Sequence, residues 1–532
     1  MEEKTPAHHD EEQVKMNNHI AHDVDEIENA NGEVLLTVVT NAKGENTSGL
    51  KLAKDGRTIL IPQPTDDSND PLNWSSFKKH IMLILVSFGS FAGDFGATSG
   101  IPAIILQSKQ WDVTLTQANA PNSINALMCG VSGIIWMPLL NSWGRMPVLF
   151  WSALLGLGFS VGAVLAPTYK VHYAMRVLQG VTQSTGQTIG LAFVKDCFFF
   201  HEHARKIGIW YAIYITSPFM GPLLGNIIIG KTGNWHTVFW CVSAWSSMLI
   251  CMILVFGDES YYNRAVPADQ QPPRKHGQLQ RLTRVFGTWQ LRHHKGYFCT
   301  VLSSYVRLVA VFLKPVIPLT MVFYAAIFMW FIGLTLSSSI LLGTPRELGG
   351  YGLSAATVGY VFFTPIAGVI LGEIFGHWFN DYIAARYTRR HNGLFVPEVR
   401  LWTTFLGLAL IVPGLVLVGQ TLEHRLNVAG LVFGWGITCF GVMITSVATV
   451  AFVLDCYPTA SGEVSALINM ARVSAGFSCG YFEPDWTAKQ GYGLAFGLQA
   501  VVVVSVFVLA IIVQRFGPRL RAWAGHVVPL NY

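Results

Sequence analysis

Asp94 stands inside a long apolar run, and Ser87, Ser90, Asp94 and Thr98 follow at spacings of 3, 4 and 4. On a helix these residues share one face. A carboxylate among hydroxyls on one face offers a binding point for a proton or a cationic group; the plainer alternative is a carboxylate held by a neighbouring helix. Arg176, Gln179, Gln183 and Gln187 repeat the spacing in a second run, with Gly180 and Gly186 beside them. Three amides in an apolar run are costly unless they face water or protein, so this face is a candidate substrate contact or a helix–helix interface. In the second half of the chain, Glu373 and His377 lie one turn apart beside Gly368, Gly372 and Gly376. The glycine ridge signals tight packing, and Glu373 is a candidate proton site. Asn469 and Arg472 are also one turn apart. A buried arginine keeps its charge and needs an acceptor; Glu373, at a similar depth, is the expected partner. Glu483 and Asp485 are expected near water at the far end of the same run. Phe323, Tyr324, Phe328, Trp330 and Phe331 could stack on a cationic or planar ligand, though packing is the commoner fate of such residues.

One motif is set aside on context. Residues 225–232, Gly-Asn-Ile-Ile-Ile-Gly-Lys-Thr, fit the phosphate-binding loop pattern. That loop needs a strand before it and a flexible glycine-rich turn. Here three isoleucines fill the turn and the match closes an apolar run, so no nucleotide is expected. The 8 cysteines are scattered through apolar runs without metal-ligand spacing, and no nucleophile motif lies in a suitable context. No cofactor, no metal and no enzymatic activity are expected.

The elements that must position these residues are helices across a lipid bilayer. Hydrophobic residues make up 51% of the 532, charged residues only 13%, and mean hydropathy is +0.41; soluble domains carry about 25% charged residues. Twelve runs are long enough to cross about 30 Å of hydrocarbon: 81–105, 119–140, 148–167, 171–194, 207–230, 236–257, 316–342, 353–380, 401–420, 426–454, 463–484 and 492–514. Helices are required because lipid cannot satisfy backbone hydrogen bonds. The run 119–140 reads as the weakest, since Pro121, Asn122, Ser123 and Asn125 soften its start. With the N-terminus inside, the inner loops and C-terminal tail carry 20 Lys and Arg and the outer loops carry 6, which fixes the orientation expected of basic loops and places both termini in the cytoplasm.

The expected organisation is a tail over 1–80, a six-helix bundle over 81–257, a basic inner loop over 258–315, a second six-helix bundle over 316–514 and a short tail over 515–532. Residues 1–70 hold 6 basic against 15 acidic side chains, while the rest of the chain holds 30 against 16. The acidic tail has too few apolar residues to offset its ordering entropy and reads as largely disordered. No cleaved leader is expected. Within the central loop, the segment 297–314 alternates apolar residues with Arg307 and Lys314, as an amphipathic helix on the inner leaflet would. The six-plus-six division suggests two repeats.

Several of these residues together resemble a known family. Gly208, Ser217, Gly221-Pro222 and Gly225 resemble the fifth-helix signature of major facilitator drug:proton antiporters, with Ser217 replacing one glycine. Asn141, Gly144 and Arg145 resemble the family's loop between the second and third helices. Asn141 replaces its usual acid and Met146 a second basic residue, which weakens the charge contact thought to gate the inner face. Arg176 and Gly180 resemble the fourth-helix motif whose arginine is implicated in proton coupling. Asp70-Pro71-Leu72-Asn73-Trp74-Ser75, Asp455-Cys456-Tyr457-Pro458 and the Asn469, Arg472, Gly476-Phe477 stretch resemble fungal members, in a branch that includes polyamine and organic-cation transporters.

The resemblance implies an all-α major facilitator fold of twelve transmembrane helices in two six-helix bundles, rocking around a central cavity. It implies proton-coupled efflux of a small organic molecule such as a drug, toxin or secondary metabolite. The alternatives are proton-coupled uptake of a polyamine-like cation and a nutrient sensor built on a transporter fold. The expected partners are that substrate, protons and the bilayer, without nucleic acid or nucleotide, and the chain is expected to be a monomer in the plasma membrane, with the vacuolar membrane as the alternative.

Overall fold

The computed structural model describes residues 51, 60 and 62–527 apart from 265, 268–269, 275–276, 346–349, 392–394 and 526. Among these the chain is helical without strands. Twelve crossings follow in order. The first is α1 (Ser76–Thr98), continued by α2 (Ile104–Trp111); then come α3 (Leu115–Trp143) and α4 (Arg145–Val164). The fourth is divided at Ser184 between α5 (Tyr169–Gln183) and α6 (Thr185–Cys197), and α7 (Phe200–Thr232) and α8 (His236–Phe256) complete the first half. After α9 (Gln278–Phe286), α10 (Thr288–Arg292) and α11 (Val301–Phe312), the second half begins with α12 (Val316–Gly343). It continues through α13 (Ala355–Val361) with α14 (Phe363–Arg390), α15 (Trp402–Glu423), α16 (Val428–Cys456), α17 (Ser461–Gln490) and α18 (Tyr492–Ala524).

Ten of these crossings are long and apolar enough to span a bilayer on their own composition. The two weaker ones are the fourth, broken at Ser184, and the eleventh, which carries Asn469, Arg472 and Glu483. The second crossing, expected to be the weakest, is an unbroken 29-residue helix that starts on a reciprocal Thr114–Gln117 cap. Its Asn119, Asn122, Ser123 and Asn125 are buried against neighbouring helices, so the polar start is a packing surface and not a frayed end.

Two large apolar cores correspond to the two halves. One gathers Met82, Leu140, Leu149, Phe193, Trp210 and Leu249; the other gathers Phe323, Phe328, Leu415, Trp435, Phe452 and Phe507. The aromatic group of α12 belongs wholly to the second core, with Phe323, Tyr324, Phe328, Trp330 and Phe331 all buried, as the packing reading expects. The ridge of Gly368, Gly372 and Gly376 lies against Gly436, Phe440, Met443 and Ile444 of α16, where any side chain would hold the helices apart.

Because the crossings are even in number, Ser76 and Ala524 lie at one end of the bundle, the terminal end. There the described part of the central loop packs on the bundle. α11 rests on α3 and α17, one helix from each half. Arg307 pairs with Glu463 at 3.2 Å and donates to the Thr459 carbonyl at 2.6 Å, while Leu302, Val306, Val309 and Leu313 are exposed. That apolar outer stripe is the one an inner-leaflet helix requires. Most of the acidic tail lies outside the described residues. Its last part is pinned: Asp70 caps the short turn Pro71–Asn73 and pairs with Arg264 at 3.0 Å. The final crossing runs on to Ala524, past the 514 expected from hydropathy, because its last turns are tied by Arg521 to Glu398 at 2.8 Å.

Candidate functional site

The centre of the bundle is held by one ion pair between the halves. Arg472 of α17 donates to Asp94 of α1 at 2.9 Å, and both are buried. The partner expected from depth alone, Glu373, is not the partner: it bonds His377 on its own helix at 2.9 Å. Depth along a helix does not give rotation about it, and the Arg472 face turns toward the first half. Asn469 organises the pair. Its Oδ1 accepts from Arg472 Nε at 3.3 Å, Arg472 Nη2 at 3.1 Å and the Tyr214 hydroxyl at 2.8 Å, and its amide donates to Gln187 at 3.3 Å. The Arg472 guanidinium also lies 4.9 Å from the Tyr214 ring centre. A chain of polar contacts therefore runs from α1 through α17 to α6 and α7.

The hydroxyls beside Asp94 support it from behind. Ser87 and Thr98 donate to carbonyls one turn back on α1. Ser90 donates to the Gly186 carbonyl at 2.7 Å and accepts from Trp210 Nε1 at 2.6 Å. Gln179 and Gln183 bond each other at 3.1 Å, and Gln183 donates to Ser246 at 2.9 Å. The amide stripe thus faces protein, and of its three members Gln187 alone reaches the central cluster. Arg176 is fully buried. It donates to the carbonyls of Gly96 at 2.7 Å and Ala97 at 2.6 Å, to Gln179 at 2.8 Å and to Asn122 at 3.0 Å. All four acceptors are neutral, and two lie where α1 ends. The guanidinium stacks over Phe239 at 5.3 Å.

Below the central pair, toward the terminal end, two confluent cavities separate the halves. The inner one, of about 70 Å³, is lined by Gln187, Trp210, Tyr211, Tyr214, Tyr324 and Arg472. The outer one, of about 250 Å³, is lined by Lys195, His203, Glu373, His377, Arg400 and Asp455. They share Leu191, Ile207, Tyr211, Val450 and Leu454. Glu373 borders this mouth, with His377 half exposed beside it. At the other end the halves meet closely: Gly359 of α13 lies against Leu223 and Asn226 of α7, and Gly230 against Ala356. Gly221 and Gly225 let α7 approach the Thr98–Pro102 segment so closely that a Cβ would collide with it, and Pro222 lies between them inside the helix.

The loop motif at the terminal end gains charges from elsewhere in the chain. Gly144 turns at φ +91°, a conformation open to glycine, and α4 then starts on a carboxylate: Glu259 accepts from the N–H of Arg145 at 3.0 Å and of Met146 at 3.2 Å. The Arg145 side chain pairs with Asp196 at 3.1 Å and lies over Tyr261 at 4.7 Å. The acid missing at Asn141 is thus supplied by Asp196. Neighbouring Asp258 takes Arg284 at 2.9 Å and Lys78 at 2.6 Å. Burial pushes the Glu259 carboxyl up, against the pull of the Tyr261 and Arg145 N–H groups. Burial also pushes Asp258 up, but Arg284 and Lys78 outweigh it and hold that carboxyl below its ordinary range.

Glu483 contradicts the expectation of a cheap, hydrated charge. It is buried and accepts from Ser337 at 3.1 Å and Gln499 at 2.9 Å, whereas Asp485 is exposed as expected. Sequence reasoning also missed Trp210, Tyr211 and Tyr214. Their signal was available: three aromatic side chains with polar tips on one face of α7, just before Ser217.

With this geometry in place, comparison with known proteins is direct. The model of the Major Facilitator Superfamily matches residues 83–480, and the chain belongs to that family. It is 23% identical over 493 residues to an uncharacterized transporter of Schizosaccharomyces pombe, covering 91% of this chain and 96% of that one. It is 21% identical over 460 residues to the efflux pump radE of Floropilus chiversii, covering 86% and 84%. Among solved structures, the partially occluded, inward-open xylose transporter XylE of E. coli aligns with a TM-score of 0.57 at 12% identity, over 83% of this chain and 98% of that one. The protein is accordingly a multi-pass membrane transporter and not an enzyme.

Proposed function

We propose that this transporter is proton-coupled and exports a small organic molecule by alternating access. The observation that carries the reading is the Asp94–Arg472 pair: it joins the halves at the head of a cavity that widens toward the terminal end. Protonating Asp94 cancels the attraction and frees Arg472, so the halves separate there only when a proton is bound. The driving force is of the right order. One charge moved through 100 mV is worth about 2.3 kcal/mol, against about 3–5 kcal/mol for breaking a buried pair by losing one partner. Gln187, Asn469 and Tyr214 line the cargo path with Arg472. Glu373 takes a proton at the mouth, and Arg176, Gln179, Gln183, Ser90 and Thr98 hold α1 in place behind Asp94. Gly144–Arg145 with Asn141, and Gly180 with Gly221–Pro222–Gly225, set how the helices close at either end. The efflux name of a relative supports the direction. The basic loops support cytoplasmic termini, and a monomer in the plasma membrane fits both.

The test uses vesicles containing the purified protein and an imposed pH gradient. Asp94→Asn is expected to insert and fold normally but lose gradient-driven flux. Full flux in that variant removes Asp94 from the mechanism. Accumulation of a labelled polyamine by intact cells would turn the direction to uptake.

A further inference from the structure

At the end of the bundle opposite the termini lies a cavity of about 300 Å³ that the central path does not use. Its walls come from α12, α17 and α18, with Leu115 of α3 at its rim. Glu483 lines it. This carboxylate is only 3% exposed, and among the described residues no lysine, arginine or histidine lies within ion-pair distance. Its two hydrogen bonds come from neutral donors, Ser337 and Gln499. A carboxylate so placed is expensive as an anion unless a cation reaches it, and otherwise takes up a proton. Thr344, which also lines the cavity, is 7% exposed and its hydroxyl has no partner, so it can accept from a ligand there. The rest of the wall is apolar, with Ile340, Leu341 and Phe496.

We propose that this cavity is a binding site for a small organic ammonium ion, its nitrogen at Glu483 and its hydrocarbon chain against Leu341 and Phe496. A primary ammonium brings three N–H donors and a positive charge to a carboxylate that, among the described residues, is bonded only by neutral side chains. The volume is at the lower end of small-ligand sites, which suits a short alkyl chain. The site is separate from the Asp94–Arg472 path. It rests on the reading of the chain as a transporter of small organic molecules, for which it supplies a second station at the far side of the membrane.

The experiment is calorimetric titration of hexylammonium into the full-length protein in lipid nanodiscs, with empty nanodiscs subtracted and hexan-1-ol as the neutral control. The ammonium is expected to bind about tenfold or more tightly than the alcohol, and Glu483→Gln to weaken it by a similar factor. Asp485→Asn, at an exposed carboxylate on the same helix, is expected to leave the affinity unchanged. Leu115→Trp, which fills the cavity from its rim and keeps the carboxylate, is expected to abolish binding, so the site is tested even if Glu483→Gln folds poorly. Wild-type affinity in either cavity variant, equal binding of alcohol and ammonium, or no heat from the ammonium overturns the site. Loss of binding in Asp485→Asn alone moves the ammonium to the surface carboxylate and overturns it too. None of these outcomes depends on flux, so they are distinct from failure of the proton-coupling test.

Discussion

The two bundles bury polar groups for different ends. In the first, Arg176 is surrounded by neutral acceptors of its own half, Gly96, Ala97, Asn122 and Gln179. Its guanidinium works as a clasp on the last turns of α1, at the level where that helix gives way to the Ile101–Ala103 turn. In the second, two buried carboxylates border open space: Glu373 on the mouth between the halves and Glu483 on the cavity at the far end. The same cost of burying charge is met by protein in one half and left for a ligand or a proton in the other. Where every neighbour of a charge is internal, substitution should cost stability. Where a cavity is the neighbour, it should cost function.

The sharpest way to break this contrast is Arg176→Ala. It strands four buried acceptors at once, each worth on the order of 1–3 kcal/mol when left unpaired, so little folded protein is expected in the membrane. Arg176→Lys keeps the charge but cannot span the same four acceptors and is expected to rescue only part of the yield. Size-exclusion profiles of tagged variants measure both. A well-folded Arg176→Ala protein would end the clasp reading.

Next in size is Arg284→Ala, which among the described residues leaves Asp258 with Lys78 as its cation and the Glu259 N–H. Breaking such a buried pair costs about 3 kcal/mol, seen as a lowered melting temperature at neutral pH. The sign with pH follows from linkage. Arg284 and Lys78 hold the Asp258 carboxyl below its ordinary 3.8, against burial. Their contribution is therefore present above 3.8 and lost as the pH falls through the depressed value. The gap between wild type and Arg284→Ala should narrow in acid. Glu259, raised above 4.5 by burial, acts oppositely, losing stability as the pH rises from 4.5 through its raised value. Glu259→Gln should accordingly flatten that part of the profile.

The smaller effect belongs to Glu373→Gln. The amide oxygen can still accept from His377, and the volume is unchanged, so the melting temperature should move by no more than about 1 kcal/mol allows. Gradient-driven flux should nevertheless fall. If this variant instead loses folded protein as Arg176→Ala does, the two halves do not differ in the way described.

Much of this was legible in the chain. The run of membrane-crossing helices, the glycine ridge on α14 and the aromatic core of α12 follow from hydropathy, spacing and the size of side chains. So does the choice of Asp94, Arg176, Gln187, Asn469 and Arg472 as polar residues with partners inside the bundle. What spacing could not supply was rotation and long-range pairing. Arg472 was assigned Glu373 because both lie at similar depth, yet the pair with Asp94 spans 378 positions of sequence. Asp196 and Glu259, which no spacing singled out, serve the Gly144–Arg145 turn. Glu483 read as hydrated because it nears a helix end, but α17 continues to Gln490 and neighbouring α12 and α18 cover it.

The smallest expected effect tests the bilayer frame that both bundles share. α11 carries Leu302, Val306 and Val309 on its outer face while Leu308 and Val311 are buried beneath. If the outer stripe lies in the leaflet at the terminal end, a nitroxide on Leu302→Cys, in a background with the native cysteines replaced, should be reached by oxygen more than by a polar nickel reagent. A label on the exposed Arg292, at the end of α10, should show the reverse. Neither substitution should shift stability by more than about 0.5 kcal/mol, as is usual away from packed or paired sites. Equal access of the polar reagent to both positions would place α11 in water. The contact of α11 with both halves would then be a soluble strap and not a helix anchored at the membrane surface.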